Sequence, residues 1–221
     1  MRAPDFSGTK ISVSRSVWSY SKVQHFVSAI IRNRKPFMNL KTKGLILDIG
    51  CGPNRNSKNI NLDYAWQPGV DICCDITRGL PLPDNYVAGI FSEHCLEHIS
   101  QESTLHVFRE MHRVLSPGGR IRIVVPDLDI YIIQYTTKQP MPYAGNDEMQ
   151  GIYTSAMSIN RIMRAHGHQF IYDYETLQAM LDVCKFEEIT KCKSGVGAEQ
   201  ALLLDTPDRA IESLYVEARK R

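Results

Sequence analysis

The chain has 221 residues, 43% of them hydrophobic, with 14 Gly, 11 Pro and 6 Cys; this suits one domain with an ordinary buried core and excludes a disulfide-stapled miniature. No apolar run of about eighteen residues occurs and Met1–Asp5 leads into no apolar signal core, which argues against a membrane span and a cleaved secretion signal; with no C-x-x-C pair among the cysteines, a reducing, cytoplasmic setting is expected. The net charge of +2 conceals a split: residues 1–43 carry nine Lys/Arg against the single acid Asp5, a balance of +8, while the other 17 bases and 23 acids balance at −6.

Tyr20, Val23, Phe26, Val27, Ile30 and Ile31 recur at helical spacing behind a cap at Ser19, predicting an amphipathic helix over 19–34 that is attached to the main sheet rather than part of it. Its basic face fits a solvated surface, or one that meets an anionic substrate or a membrane. From residue 44 short apolar runs alternate with helical stretches. Strands are predicted at 44–49, 60–62, 70–73 and 87–92, then a helix over 101–115 stopped by Pro117-Gly118-Gly119, and a strand at 120–125. A helix near 128–137 precedes an irregular insertion over 138–171. Asp173 caps a further helix through Cys184, with Leu177, Met180 and Leu181 facing inward, and a strand follows near 186–192. Residues 213–218 close the chain as a strand or a terminal helix. The fold class is α/β, a doubly wound, mostly parallel sheet of Rossmann-like type, with a basic arm at 1–43 and the main domain at 44–221.

Asp48-Ile49-Gly50-Cys51-Gly52 directly follows an apolar strand. Glycines there let the backbone turn tightly and approach a ligand more closely than any side chain would allow. Asp63 ends the next strand, where a carboxylate can accept hydrogen bonds from both hydroxyls of a ribose. Only ten residues separate Gly52 from Asp63, so the usual crossover helix is very short or missing. Asp75 ends the third strand. Ligands of such sheets bind outside the carboxyl ends of the strands, so Asp48, Gly50, Gly52, Asp63, Asp75 and Ser92–His94 converge on one crevice suited to a nucleoside.

These segments, L-I-L-D-I-G-C-G-P-N (45–54), I-N-L-D (60–63), V-D-I-C-C-D-I (70–76), L-P-L-P-D-N (80–85), F-S-E-H-C-L-E-H-I (91–99) and R-V-L-S-P-G-G-R-I-R-I-V-V-P-D (113–127), resemble those of the class I S-adenosylmethionine-dependent methyltransferases, over about Gly44 to Phe186. The chain looks most like a compact branch with a shortened first crossover, associated with sugar or cell-surface polymer pathways. The resemblance implies that S-adenosyl-L-methionine lies with its methionine end against Asp48, Gly50, Gly52 and Ser92, its ribose on Asp63, and its adenine amino group on Asp75 and the amide of Ile76. It further implies methyl transfer to oxygen or nitrogen of a small or carbohydrate-like acceptor; RNA or an anionic lipid recruited by the basic arm, and a non-catalytic cofactor-binding subunit, are the alternatives. Asn54 stands where the family usually has a third glycine, and Ala88-Gly89 where it usually has Phe-Asp.

Two histidine clusters flank this pattern. His94-Cys95-Leu96-Glu97-His98 spells H-x-x-E-H, an inverted zinc-protease signature, yet it straddles a strand end and a loop. No metal is expected there: Glu97 and His98 orient the loop, while His94, leaving the strand beside the expected methyl position, is the candidate general base. His166 and His168, at the end of the insertion, are placed as the acceptor side of the crevice, with His168 the second candidate catalytic residue. Trp18 and Tyr20 are read as an aromatic anchor for the first helix.

Overall fold

The computed structural model describes residues 21–34, 46–138 and 154–221. Ser19, Trp18, Tyr20 and most of the basic arm lie outside them. Four short parallel strands, β1 (Ile46–Ile49), β2 (Ile60–Asp63), β3 (Ile72–Cys73) and β4 (Val87–Glu93), are followed by β5 (Leu115–Pro126), β6 (Phe186–Cys192) and β7 (Ser213–Lys220). They form one seven-stranded sheet in the order β3-β2-β1-β4-β5-β7-β6. All neighbouring pairs from β3 to β5 are parallel, whereas β7 runs antiparallel to both β5 and β6. The chain end is therefore a strand, the first of the two options its sequence left open. The strand order reverses at β1, between β1 and β4, and the crevice in which such sheets bind ligands lies outside the carboxyl ends of the strands at such a point.

The core explains the continuous apolar runs: Leu47, Ile49, Ile60, Leu62, Ile72, Ile90, Ile121, Ile123 and Val125 are all at most 1% exposed, as parallel strands covered on both faces require. Helix α2 (Gln101–Val114), capped by Ser100, buries Val107, Phe108, Met111 and Val114 against that layer. Between Gly50 and Asn59 there is no helix, as the ten-residue spacing demands. Gly89 has no space for a side chain, since a Cβ there would lie 2.8 Å from Ile46 and 3.0 Å from Leu202. The Ala88-Gly89 departure is thus a packing adjustment.

The insertion is less irregular than its sequence suggests. After helix α3 (Leu128–Thr137), the segment holds a ten-residue helix, α4 (Ser155–Arg164), whose Ile162 packs on Tyr131 of α3 with Ile159 and Ile171 beside them. The stretch 139–153 lies outside the described residues. Asp173 caps helix α5 (Tyr174–Val183) through the amide of Thr176, and Leu177, Met180 and Leu181 face inward as expected.

Helix α1 (Lys22–Ile31) corrects the sequence reading in two ways. Its cap is Ser21, in a reciprocal capping box with Gln24, and the apolar residues Val23, Phe26 and Ile30 are 67%, 68% and 44% exposed. The helix instead docks through polar groups at its C-terminal end. Ser28 accepts from the amide of Trp66 at 2.7 Å, Arg32 donates to the carbonyl of Tyr64 and lies 3.7 Å over that ring, and Asn33 exchanges hydrogen bonds with the backbone of Asp75. Helix periodicity cannot separate these two arrangements, because it shows that an apolar face exists and not what covers it.

Candidate active site

The glycine turn is held by β2. The amides of Gly50 and Cys51 both donate to the carbonyl of Leu62, and the amide of Gly52 donates to Asp63 Oδ2 at 2.9 Å. Gly50 has φ +75° and a Cβ there would lie 2.6 Å from that of Cys95, so both its conformation and the closeness of the β4 loop require glycine. Gly52 has φ +51°, and a Cβ there would meet nothing nearer than 3.9 Å. One glycine thus packs the turn against β4 and the other leaves open space above it. Asn54, in place of a third glycine, closes the turn by donating its amide to Cys51 and lies within hydrogen-bond reach of Thr206.

Three carboxylates surround this turn. Asp48 is 5% exposed, and burial, followed by the nearby charges of Glu93 and Asp63, pushes its pKa up to about 7. Asp63 is also raised by burial, which amide hydrogen bonds from Ala65 and Gly52 oppose. Each of its oxygens takes one backbone amide and keeps a second acceptor direction. Glu93, which the sequence reading placed in the crevice within Ser92–His94 but gave no role of its own, closes β4 and accepts from the amide and hydroxyl of Thr206. Ser92 pairs in register with Ile49, next to Asp48, and its hydroxyl is buried with no hydrogen-bond partner. At the far end of the edge, Asp75 caps the turn at Ile76–Arg78, its Oδ1 bound to the amide and hydroxyl of Thr77. The sheet therefore brings Asp48, Gly50, Gly52, Asp63 and Ser92 together around the first turn and sets Asp75 and Ile76 at the end of β3. Arg32 and Asn33, directly after α1, buttress that end, and no signal in their sequence marks it.

The fit to S-adenosyl-L-methionine rests on this chemistry. Its sulfonium and ammonium charges suit a pocket in which burial, followed by the charges of Glu93 and Asp63, pushes the pKa of Asp48 up to about 7. The orphaned Ser92 hydroxyl and the open backbone at Gly52 are the kind of unmet groups that a bound nucleoside would satisfy.

His94 extends β4 by donating its amide to Val124, then turns with φ +48°. Its Nδ1 lies 3.2 Å from Glu97 Oε1 and its Nε2 2.8 Å from the hydroxyl of Ser213. Both nitrogens of the imidazole therefore have a polar neighbour, with the hydrogen bond at Nε2, and the positive φ takes His94 off any helix shared with His98, so the protease signature has no helical face. Glu97 and His98 occupy a single 3-10 turn at Leu96–His98. The returning insertion is stitched onto that turn: Gln169 donates its amide to the carbonyl of Glu97 at 2.7 Å and its side chain to the carbonyl of His98. His168 points inward, its ring 4.9 Å from that of His98, and His166 stands 5.9 Å from His168 with its side chain more open to solvent.

Known proteins match this arrangement. Residues 61–123 match a family described as a methyltransferase domain. A curated mouse protein, probable tRNA methyltransferase 9B, is 31% identical over 109 residues, which cover 42% of this chain and only 24% of that protein. Among solved structures, an S-adenosylmethionine-dependent methyltransferase from Thermotoga maritima, described as a possible histamine N-methyltransferase, superposes with a TM-score of 0.52 at 13% identity, covering 81% of this chain and 83% of its own. Phosphoethanolamine N-methyltransferase 2 of Haemonchus contortus, solved with phosphomonomethylethanolamine and S-adenosylhomocysteine, gives 0.50 at 14% identity, over 83% of this chain and 50% of its own. At these identities the structures establish the fold. No helix among the described residues is long and apolar enough to cross a membrane.

Proposed function

We propose that this chain, whose residues 61–123 match a methyltransferase domain, is a class I S-adenosylmethionine-dependent methyltransferase that transfers a methyl group to an oxygen or nitrogen of a small or carbohydrate-like acceptor. The observation that carries the reading is the open, acid-lined glycine turn at the strand-order reversal, with Asp48, Asp63 and Glu93 converging where a cofactor with two cationic groups would lie. Asp48, Gly50, Gly52 and Ser92 receive its methionine end. Asp63 keeps one acceptor direction per oxygen for the ribose, while Asp75 and the amide of Ile76 serve the adenine, steadied by Asn33.

When bound, the cofactor supplies a methyl already activated on a sulfonium, so positioning accounts for most of what the protein must do; effective molarities of about 10⁵ M or more are available to well-aligned groups. Where the acceptor is a hydroxyl, its proton goes to His94. Glu97 faces Nδ1 and so favours the tautomer with its lone pair on Nε2, and the Ser213 hydroxyl at that nitrogen hands the proton on. His168 serves the acceptor side by fixing the insertion rather than by reaching into the crevice.

The test is a screen with methyl-labelled cofactor against sugar, lipid, amine and RNA acceptors. Label in a sugar or amine, abolished in Asp63→Ala and cut at saturating acceptor in His94→Ala, is the expected result; no transfer to any class, with cofactor bound, would overturn it. A second reading, an RNA acceptor, draws on the relative named as a tRNA methyltransferase and on the +8 balance of residues 1–43. It predicts RNA binding that falls steeply with salt, the mark of phosphate contacts.

A further inference from the structure

We propose that Glu97, His98 and His168 hold a divalent transition-metal ion of the zinc class, which pins the returning insertion to the end of β4. Donor atoms of the three residues lie within 4.8 Å of one another. Sequence reading assigned no metal to H-x-x-E-H, and its first histidine is not among these three; the third donor arrives from the insertion, which only the fold brings near.

The buried carboxylate is the first reason. Glu97 is 0% exposed and neither of its oxygens has a partner in hydrogen-bond geometry. Such an anion costs several kcal/mol unless an opposite charge offsets it. His94 at 3.2 Å addresses one oxygen only, off the line of a good hydrogen bond.

The histidine tautomers supply the second reason. His168 Nδ1 lies 2.5 Å from the carbonyl of Ile162. A carbonyl only accepts, so Nδ1 carries the hydrogen, and the neutral ring has its lone pair on Nε2. That nitrogen faces Glu97 Oε1 at 4.0 Å. Two acceptors face each other across a gap, an arrangement that repels unless a cation lies between them. His98 likewise hydrogen-bonds the backbone of Gly167 and keeps its other nitrogen for the cluster. A backbone carbonyl holding the far nitrogen, as Ile162 holds that of His168, is the usual outer-shell support of a metal-bound histidine, setting tautomer and aim.

Two imidazoles and one carboxylate are a donor set that zinc accepts, with bonds of about 2.0–2.2 Å. Donors now 4.0 Å apart need only a small inward movement to reach it. With Glu97 fully buried and the His168 side chain 6% exposed, the site is closed, which fits a structural ion rather than a hydrolytic one. The inference needs no bound cofactor or acceptor, but it shares Glu97 with the role proposed for His94.

Full-length protein stripped with a chelator and titrated with Co²⁺ should develop saturable visible absorption at one equivalent, displaced by Zn²⁺ and confirmed by elemental analysis. Zn²⁺ should also raise the thermal midpoint, because an ion bound only by the folded state stabilises it. Glu97→Gln, nearly isosteric, and His168→Ala should each weaken the ion by at least about 100-fold, since even outer-shell changes cost about 10–100-fold. His106→Ala, on the exposed side of α2, should bind as the parent does. Absence of saturable binding, or binding that survives Glu97→Gln, would overturn the site, and should His168→Ala fail to fold, the glutamine variant decides alone.

Discussion

Two buried charges, Arg122 in the middle of β5 and Glu97 in the turn after β4, show opposite treatment of the same problem. All five N–H groups of Arg122 are used: Nε and one terminal nitrogen bind both oxygens of Asp205, and the remaining donors reach Glu217 and the carbonyls of Val196 and Lys193. The arginine and its two acids are 0%, 3% and 1% exposed. Glu97 is as deeply buried, yet its oxygens lack hydrogen bonds. A saturated cluster has no valence left for a ligand and can only fasten structure, here the loop over 193–206 against the sheet. An unsaturated one keeps an interaction in reserve, and Asp48, Asp63 and Ser92 belong with Glu97 in this respect.

The largest effect is expected where saturation is complete. Arg122→Met should destabilise the chain by about 3–5 kcal/mol, because it strands two buried carboxylates, and the denaturant midpoint would report it. Replacing Asp205 and Glu217 by leucine in the same chain should recover most of that loss, since desolvating all three charges offsets much of what they gain from each other. A single variant as stable as the parent would erase the distinction between the two clusters.

Asp63 stands midway, with one amide on each oxygen and a second acceptor direction spare. Asp63→Ala should weaken both S-adenosylmethionine and its demethylated product by about 2–3 kcal/mol, roughly 30–150-fold, through loss of charge-assisted bonds to the ribose. Some loss of stability should accompany it, because the amides of Gly52 and Ala65 lose their acceptor. Calorimetry showing unchanged affinity would return Asp63 to the purely structural class of Glu217.

Asp48 is the member of the unsaturated set that titrates near neutrality. Burial and its acidic neighbours lift its pKa from the ordinary carboxylate range to about 7. A carboxyl raised on folding stabilises the folded state fully below its unfolded value, and that contribution is lost as pH climbs through about 7. Cofactor binding runs the other way, because a sulfonium favours the ionised acid. Affinity for S-adenosylmethionine should fall as pH drops from 8 to 6, approaching about tenfold per unit below 7. The product, lacking the sulfonium charge, should show a shallower fall, and Asp48→Asn should flatten the profile. Identical profiles for cofactor and product would remove Asp48 from the methionine end.

How much of this was legible in the sequence follows the same division. The turn at 48–52, the acids at strand ends and the missing first helix are local consequences of spacing, and the sheet places them as that spacing requires. Saturation is a tertiary property. Nothing in Arg120-Ile121-Arg122-Ile123 says that the second arginine is buried, since its acids come from residues 205 and 217. Likewise Glu97 reads as a loop residue until the insertion delivers His168. The α4 helix was missed because prolines and glycines earlier in 138–171 dominate the local signal, although 155–164 is amphipathic on its own.

The smallest effect is expected at Phe26, where sequence and structure disagree most. Helical spacing placed it on a face that covers the sheet, and a phenylalanine truncated in such a core costs about 3–5 kcal/mol. In the structure it is 68% exposed, and α1 is held instead by Ser28, Arg32 and Asn33. Phe26→Gln should then shift the unfolding midpoint by no more than about 0.5 kcal/mol, as surface substitutions do. Asn33→Ala, by contrast, removes bonds to the backbone of Asp75 and should loosen the cofactor's adenine end more than it lowers global stability. A loss of several kcal/mol in Phe26→Gln would mean that the helix docks through its apolar face after all, and the polar anchors at its end would then be incidental to how it is held.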